Sequence, residues 1–296
     1  MTIEALPVET WIDRLRLSEL AESAVRGGVA YFLVITFIVL ALEARNGAGF
    51  SRFRSRSFLN DIFYTVFYRA GIYGVLWGAL FNAFGNQLEV LRIEAAAQLP
   101  LWVQIAIFWL LGDFIIYWLH RAQHSSRFLW AFHSVHHAAT EMTTLTQNRR
   151  HLLERVYVDV CLYTPILVIL GIPTKAWPLL WVVFGIFEAL QHAELDWRFG
   201  PLYWILVTPV FHSLHHSTDP RHYNRNLGGI FSFWDYLFGT AATERVRPAE
   251  YGVPGLPMAE TLTSQMITPF QMALRHDEDE AGDPPVASPD PGLGVG

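Results

Sequence analysis

The stretch LPLWVQIAIFWLLGDFIIYWLHRAQH, residues 99–124, joins two signals in one run. Its first part stays apolar for about twenty residues, the length an α-helix needs to cross about 30 Å of hydrocarbon. Pro100 opens it, where a missing backbone N–H costs nothing. The run carries one carboxylate, Asp113, and passes into His120 and His124, an H-x3-H pair. Residues four apart share a helix face, so the two imidazoles are predicted to point the same way. A lipid-compatible helix that ends in paired imidazoles predicts a membrane protein with a metal site at one face of the bilayer.

Working outward, four more apolar runs flank this one, at 27–44, 61–84, 156–172 and 174–192. The last two are separated only by Gly171, Ile172 and Pro173 and read as a tight helical hairpin. The composition agrees: 52% of the 296 residues are hydrophobic and only 16% charged, below the usual quarter of a soluble domain. The predicted fold class is all-α, a multi-pass transmembrane helical bundle of four to five spans with a cytoplasmic helical metal-binding cap. Arg69, inside the second run, is predicted to face protein or to snorkel. Two shorter apolar stretches, 201–211 and 227–239, cannot span and are predicted to lie at the interface or under the cap.

Arginines orient the bundle. They crowd into 45–60, 120–155 and the region after 193, whereas the intervening loops hold only Arg92 and Lys175. The positive-inside rule puts the arginine-rich segments in the cytoplasm. No cleavable leader is evident, so the first run is predicted to remain as an anchor. Every basic residue except Lys175 is arginine, a bias that suggests a GC-rich bacterial genome and hence the inner membrane. Three regions follow: a membrane anchor over 1–95, a catalytic domain over 96–245, and an extension over 246–296 that turns acidic, then Pro- and Gly-rich, and is predicted disordered from about 276. The formal net charge of −6 excludes a basic face for nucleic acid. The single cysteine, Cys161, excludes a thiolate cluster.

Histidine carries the functional signal. Nine of the twelve fall into a pattern: His120 and His124; His133, His136 and His137 in HSVHH; His192 alone at the end of the fifth run; and His212, His215 and His216 in HSLHH. On a helix each H-x2-HH box offers two imidazoles on one face and a third beside them. Imidazole suits iron, zinc or copper. Nine such groups exceed the needs of one ion, whereas two ions at four or five ligands each would use them all. All nine also lie on the side assigned to the cytoplasm, although that assignment used arginines alone. Scattered surface or core histidines would not show this grouping.

At these residues the sequence resembles the fatty acid hydroxylase / sterol desaturase superfamily of integral-membrane di-iron enzymes. The resemblance covers about 100–240 and rests on DFIIYWLHRAQH, WAFHSVHH, the stretch from His192 through GPLYWILVTPVFHSLHH, Asn226 and WDYLFGT. It implies two iron ions, O2 as co-substrate and a lipid substrate in the bilayer. It also implies that His120, His124, His133, His136, His137, His192, His212, His215 and His216 are the ligands. Many relatives have a histidine where this chain has Glu188. That carboxylate is a candidate ligand or, preferably, an acceptor for an imidazole N–H. His151 is a further candidate. Asp113, Tyr117, His120 and His124 form one helical stripe, so Asp113 is a candidate to orient a ligand. Asn226, Trp234 and Asp235 read as structural.

The leading expectation is an O2-dependent hydroxylase acting on a C–H bond of a fatty acyl, sterol or ether lipid, with a desaturase of the same family as alternative. The chain shows no CxxCH, no GxGxxG and no fused electron-transfer domain, so a separate reductase or ferredoxin-like donor is implied. Two other classes remain: a zinc-dependent membrane hydrolase, with Glu188 and Glu194 as the candidate bases near His192, or a metal transporter. Transport favours ionisable residues strung through the bilayer, whereas here they cluster at one face.

Overall fold

The computed structural model describes residues 19–46, 50–69, 72–173, 176–256 and 261–274. The acidic tail predicted to be disordered lies outside the described residues. Within them the protein is helical, with no strand beyond two isolated bridges, Leu206 to Phe231 and Ser217 to Tyr251.

In chain order the main helices are α1 (Glu19–Arg45), α2 (Arg56–Arg69), α3 (Ile72–Leu88), α4 (Leu101–Ser125), α5 (Arg127–His137), α6 (Leu152–Val158), α7 (Thr164–Ile169), α8 (Trp177–Gln191), α9 (Pro209–His215) and α10 (Leu262–Leu274). Each apolar run therefore lies on helix, but the expected spans differ in kind. One helix among the described residues, α4, is both long and apolar enough to cross a membrane. At 1.5 Å per residue its 25 residues reach about 37 Å. The run 61–84 is divided between α2 and α3, of 14 and 17 residues, each shorter than the roughly 20 residues a span needs. The run 156–172 is α6 and α7 joined by a π-helical turn, Asp159–Tyr163. Pro165 follows that turn, and its missing N–H removes one α-helical bond and favours such a wide turn.

The hairpin expectation holds locally. At the end of α7, Ile172 N–H donates to Leu167 O and Gly171 N–H to Val168 O, with Gly171 at φ +63°. This left-handed closure reverses the chain without a Cβ penalty.

Helices α1, α3 and α4 carry apolar side chains on their outer faces. Leu33, Val34, Phe37 and Ile38 on α1, Val75 and Leu76 on α3, and Trp102 and Leu110 on α4 are exposed. Such a surface on adjacent helices is unusual in water. An apolar core, including Phe108, Leu162, Tyr163, Ile166, Leu167 and Leu180, holds α4, α7 and α8 together. A second core joins Trp130, Ala131 and Val135 of α5 to Met272 of α10, so the segment after residue 246 packs on the histidine-bearing helix.

The N-terminal region is likewise tied to the cap. Glu43, fully buried, accepts hydrogen bonds from Thr144 N at 2.9 Å and Glu194 N at 2.8 Å. Asp61 of α2 accepts from Arg149 Nε at 2.6 Å and Thr146 Oγ1 at 2.8 Å, and both members of the ion pair are fully buried. Arg69 meets protein, as expected, donating to Asn148 Oδ1 at 2.9 Å and lying over the Phe32 ring.

Candidate metal centre

The nine patterned histidines converge. His120, His124, His133, His137 and His215 form one cluster, and His136, His192, His212 and His216 a second; in each, one ligand atom per residue lies within 4.8 Å of all the others. All but His120 are buried. The H-x2-HH boxes explain the division. The pair four apart in HSVHH, His133 and His137, goes to the first cluster and His136 to the second. HSLHH does the reverse: His212 and His216 join the second cluster, His215 the first. Each box thus straddles both clusters, and the His137 and His216 rings stack at 4.4 Å between centroids where the clusters meet.

Local structure sets these side chains. Ser126 caps α5 by accepting from Leu129 N, and Thr208 caps α9 by accepting from Phe211 N. Pro209 at the first position of α9 fits a helix start. The boxes therefore begin on short, capped helices whose last turns hold the imidazoles.

Hydrogen bonds fix the ring tautomers. His120 Nδ1 faces Leu227 O at 2.8 Å, His136 Nδ1 faces Arg149 O at 3.1 Å, His192 Nδ1 faces Glu188 O at 2.8 Å, and His215 Nδ1 faces Arg225 O at 2.8 Å. A carbonyl only accepts, so each Nδ1 carries the proton. His133 Nδ1 donates to Glu154 Oε1 at 2.9 Å. In the four rings that face carbonyls, Nε2 is then left with a lone pair. Yet Nε2 of His120 and His133 approach to 3.1 Å, and those of His192 and His136 to 3.2 Å. In the second pair both Nδ1 atoms hold the single ring proton against a carbonyl, so neither ring has a proton to donate there. Opposed lone pairs at that distance repel, and a cation between them removes the repulsion.

Other nitrogens agree. Both ring nitrogens of His124, Nε2 of His137 and His215, and Nδ1 of His212 and His216 are buried without a hydrogen-bond partner. Unpaired buried polar groups cost about 1–3 kcal/mol each. Burial first, and neighbouring imidazoles second, push His136, His137, His212 and His216 well below the usual imidazole pKa. Burial takes His215 down to about 3. The rings are neutral at physiological pH, the state in which imidazole binds a metal. The donor set therefore fits two metal ions of nitrogen-preferring type.

The remaining candidates have other partners. The Glu188 carboxylate pairs with Arg150 at 3.2 Å and Arg69 at 3.4 Å; the acceptor for His192 is its backbone carbonyl instead. Asp113 accepts from Ile230 N, Phe231 N and Trp234 Nε1 at 2.6–3.1 Å. It thus holds the loop carrying Leu227 and contacts no imidazole itself. A Cβ on Gly229 would come within 2.7 Å of Asp113 Oδ1, so this close approach requires glycine. His151 caps α6 by accepting from Leu153 N and packs between Phe132 and Phe270. Asn226 and Asp235 pin the segment after the last box, Asn226 donating to Phe211 O and Asp235 accepting from Leu227 N, Gly228 N and Thr240 Oγ1.

Sequence reasoning did not find Glu154, Arg149 or Asp61. Glu154 holds His133; Arg149 presents its carbonyl to His136 and is anchored by Asp61. The one available trace was Arg150 and Glu154 at helical spacing, which reads equally well as an ordinary surface pair.

A cavity of about 60 Å³ lies beside the histidines. His120, His133, His136, His192 and His212 form one wall; Ile116, Leu119, Val158 and Phe184 from the apolar helices form another; Arg150, Arg155 and Glu188 complete it.

Among the described residues, a helical fold that exposes apolar helix faces and gathers nine histidines into two adjoining sets defines a histidine-box protein with a candidate site for two metal ions. Residues 105–240 match the fatty acid hydroxylase family. An ornithine lipid hydroxylase of Rhizobium tropici is 26% identical over 74% of this chain and 67% of its own length. Alkylglycerol monooxygenases of Xenopus tropicalis and Danio rerio are 31% and 34% identical over 55% and 50% of the chain. The chain spans about a third of the length of those two monooxygenases, 34% and 33%. No solved structure matches. Through its histidine-box region, a little under half of the chain, the protein is similar to the fatty acid hydroxylase family, and the relatives it matches there are hydroxylases and monooxygenases.

Proposed function

We propose that this protein is a membrane di-iron enzyme that uses O2 to hydroxylate a C–H bond of a lipid. The carrying observation is the division of nine histidines into adjoining sets of five and four, with the Nε2 lone pairs of His136 and His192 facing each other. The relatives named for hydroxylation of ornithine lipid and oxygenation of alkylglycerol support a lipid substrate. One ion would be held by His120, His124, His133, His137 and His215, the other by His136, His192, His212 and His216.

Iron bound there supplies the oxidising power toward an unactivated C–H bond that no side chain has. O2, two electrons and two protons convert R–H to R–OH and water, so an external donor, a reductase or ferredoxin-like protein, is required. The chain's own residues do the rest. The carbonyls of Leu227, Arg149, Glu188 and Arg225, with Glu154, hold the Nδ1–H of His120, His136, His192, His215 and His133 and so aim those Nε2 atoms inward. Trp130 and Phe211, both fully buried, pack beside the boxes and exclude water. Ile116, Leu119, Val158 and Phe184 offer an apolar approach for a hydrocarbon chain.

The exposed apolar faces of α1, α3 and α4 support a multi-pass arrangement, and the arginine pattern supports a cytoplasmic metal site. The division into an anchor over 1–95, a catalytic domain over 96–245 and an extension beyond it remains a working scheme. Metal analysis of detergent-purified protein, followed by lipid product analysis under O2, tests the reading. Close to two irons per chain and a hydroxylated lipid are expected. A lipid product with a new double bond would make it a desaturase. Zinc taken up in preference to available iron, with no oxidised product, would overturn the oxygenase reading.

A further inference from the structure

A second, smaller cavity borders the one beside the histidines. It is lined by Tyr68, Arg69, Tyr73, Gln147, Asn148, Arg150 and Arg155, and Arg150 and Arg155 also line the first. Three guanidinium groups and no carboxylate form its wall. The carboxylates that balance them, Glu188, Glu154 and Asp159, bind from outside that wall.

Arg155 is held in a fixed pose with spare capacity. Its Nε donates to Asp159 Oδ2 at 3.0 Å, and that oxygen also accepts from Tyr73 Oη at 2.7 Å. Neither terminal nitrogen of Arg155 meets an acceptor among the described residues. A guanidinium held by Nε presents its two terminal N–H groups as a fork that matches a carboxylate or phosphate. The cavity wall also contains an unsatisfied acceptor. Gln147 Nε2 donates to Thr144 O at 2.7 Å, which fixes the amide, and leaves Oε1 buried with no partner. A ligand that supplies both an anion and a neighbouring N–H or O–H would satisfy both. The cavity, about 30 Å³, admits one functional group and not an acyl chain.

We propose that this pocket binds the anionic head of the lipid substrate, with Arg155 taking the acid group and Gln147 an adjacent N–H or O–H, so that the first carbons of the attached chain lie at the cavity beside the histidines. Arg150 and Arg155 line both chambers, so the two lie side by side. This rests on the lipid hydroxylase reading and adds which lipids are accepted: those with an acidic head close to the oxidised carbon, in preference to neutral alcohols or esters.

Binding of three probes to the full-length, iron-loaded protein in detergent tests it. N-palmitoylglycine carries a carboxylate beside an amide N–H, its methyl ester removes the charge, and N-acetylglycine removes the chain. The acid is expected to bind at least about tenfold tighter than the ester, as a charge-assisted fork requires, and N-acetylglycine at least about tenfold more weakly than N-palmitoylglycine. Arg155→Met should bring the acid-to-ester ratio close to one, while Arg155→Lys, which keeps the charge and loses the fork, should fall between. Equal binding of acid and ester by the unaltered protein would overturn the head-group site and leave the lipid reading intact. Equal binding of N-acetylglycine and N-palmitoylglycine would show a free-anion site and overturn it too. Failure of both long-chain probes to bind would count against the lipid reading itself.

Discussion

Glu154 Oε1 lies 2.9 Å from Nδ1 of His133, with both side chains almost entirely removed from solvent. Gln123 Nε2 and Arg150 donate to the same carboxylate oxygen, at 3.2 and 3.5 Å. A carboxylate that accepts the Nδ1 proton makes Nε2 a stronger ligand and holds the ring in place. The charge on Glu154 thus reaches the histidine cluster through one hydrogen bond.

Replacing Glu154 with Gln keeps the volume and removes the charge. Losing such a partner typically costs about 10- to 100-fold in metal affinity. Competition with a chelator should show weaker iron retention by Glu154→Gln, with helical content unchanged. Retention equal to that of the parent protein would mean that the Glu154 hydrogen bond does not tune the site.

The two clusters should respond separately to single ligand losses. His137→Ala removes a ring only from the set of five and His192→Ala only from the set of four. Each variant is expected to lose about half of the bound iron and all hydroxylation. His136→Ala should likewise lose metal and activity while its membrane insertion stays normal. If His136→Ala kept full metal loading and activity, the assignment of the second set would be wrong.

The buried pair of Asp61 and Arg149 is predicted to matter for stability more than its distance from the metals implies. Removing one partner of a buried pair leaves an uncompensated charge and costs about 3–5 kcal/mol. Asp61→Ala should lower the thermal unfolding midpoint strongly. It should also loosen the Arg149 carbonyl that orients His136, seen as weaker iron retention by protein that remains folded. The double replacement Asp61→Leu with Arg149→Met should be milder than Asp61→Ala alone.

Metal removal should itself destabilise the cap. A ligand that binds only the folded state stabilises it by mass action, about 2.7 kcal/mol at one hundred times its dissociation constant. Here iron would also relieve the facing lone pairs of His136 with His192. Chelated protein is expected to unfold at a lower temperature and to recover on adding ferrous iron. An unfolding midpoint indifferent to chelation would argue against a metal at these residues.

Much of the candidate site was legible because imidazoles at helical spacing announce themselves. The boxes HRAQH, HSVHH and HSLHH need only the 3.6-residue repeat to be read as inward-facing groups, and an apolar run needs only its length to suggest lipid. The same logic failed where one property had two meanings. The run 61–84 is apolar throughout, yet residues 69 and 72 end and begin separate helices, because composition alone does not count hydrogen bonds. Glu188 sits one turn from His192 and looked like its acceptor, but two arginines from distant segments claim its carboxylate. Asp113 shares a stripe with His120 and His124, yet its donors come from residues 230, 231 and 234.

By itself the sequence determined the helical class, the nine imidazoles and their order along the chain, since local periodicity and side-chain chemistry decide these. Only the tertiary structure decided the division into five and four, the Nδ1 partners of five of the rings, the place of Glu154, Arg149 and Asp61 behind them, and the arginine-lined pocket. Most of those features depend on contacts between residues 13 to 121 positions apart. Such contacts form only when burial of the apolar cores brings the helices together, and no local spacing encodes which partners then meet.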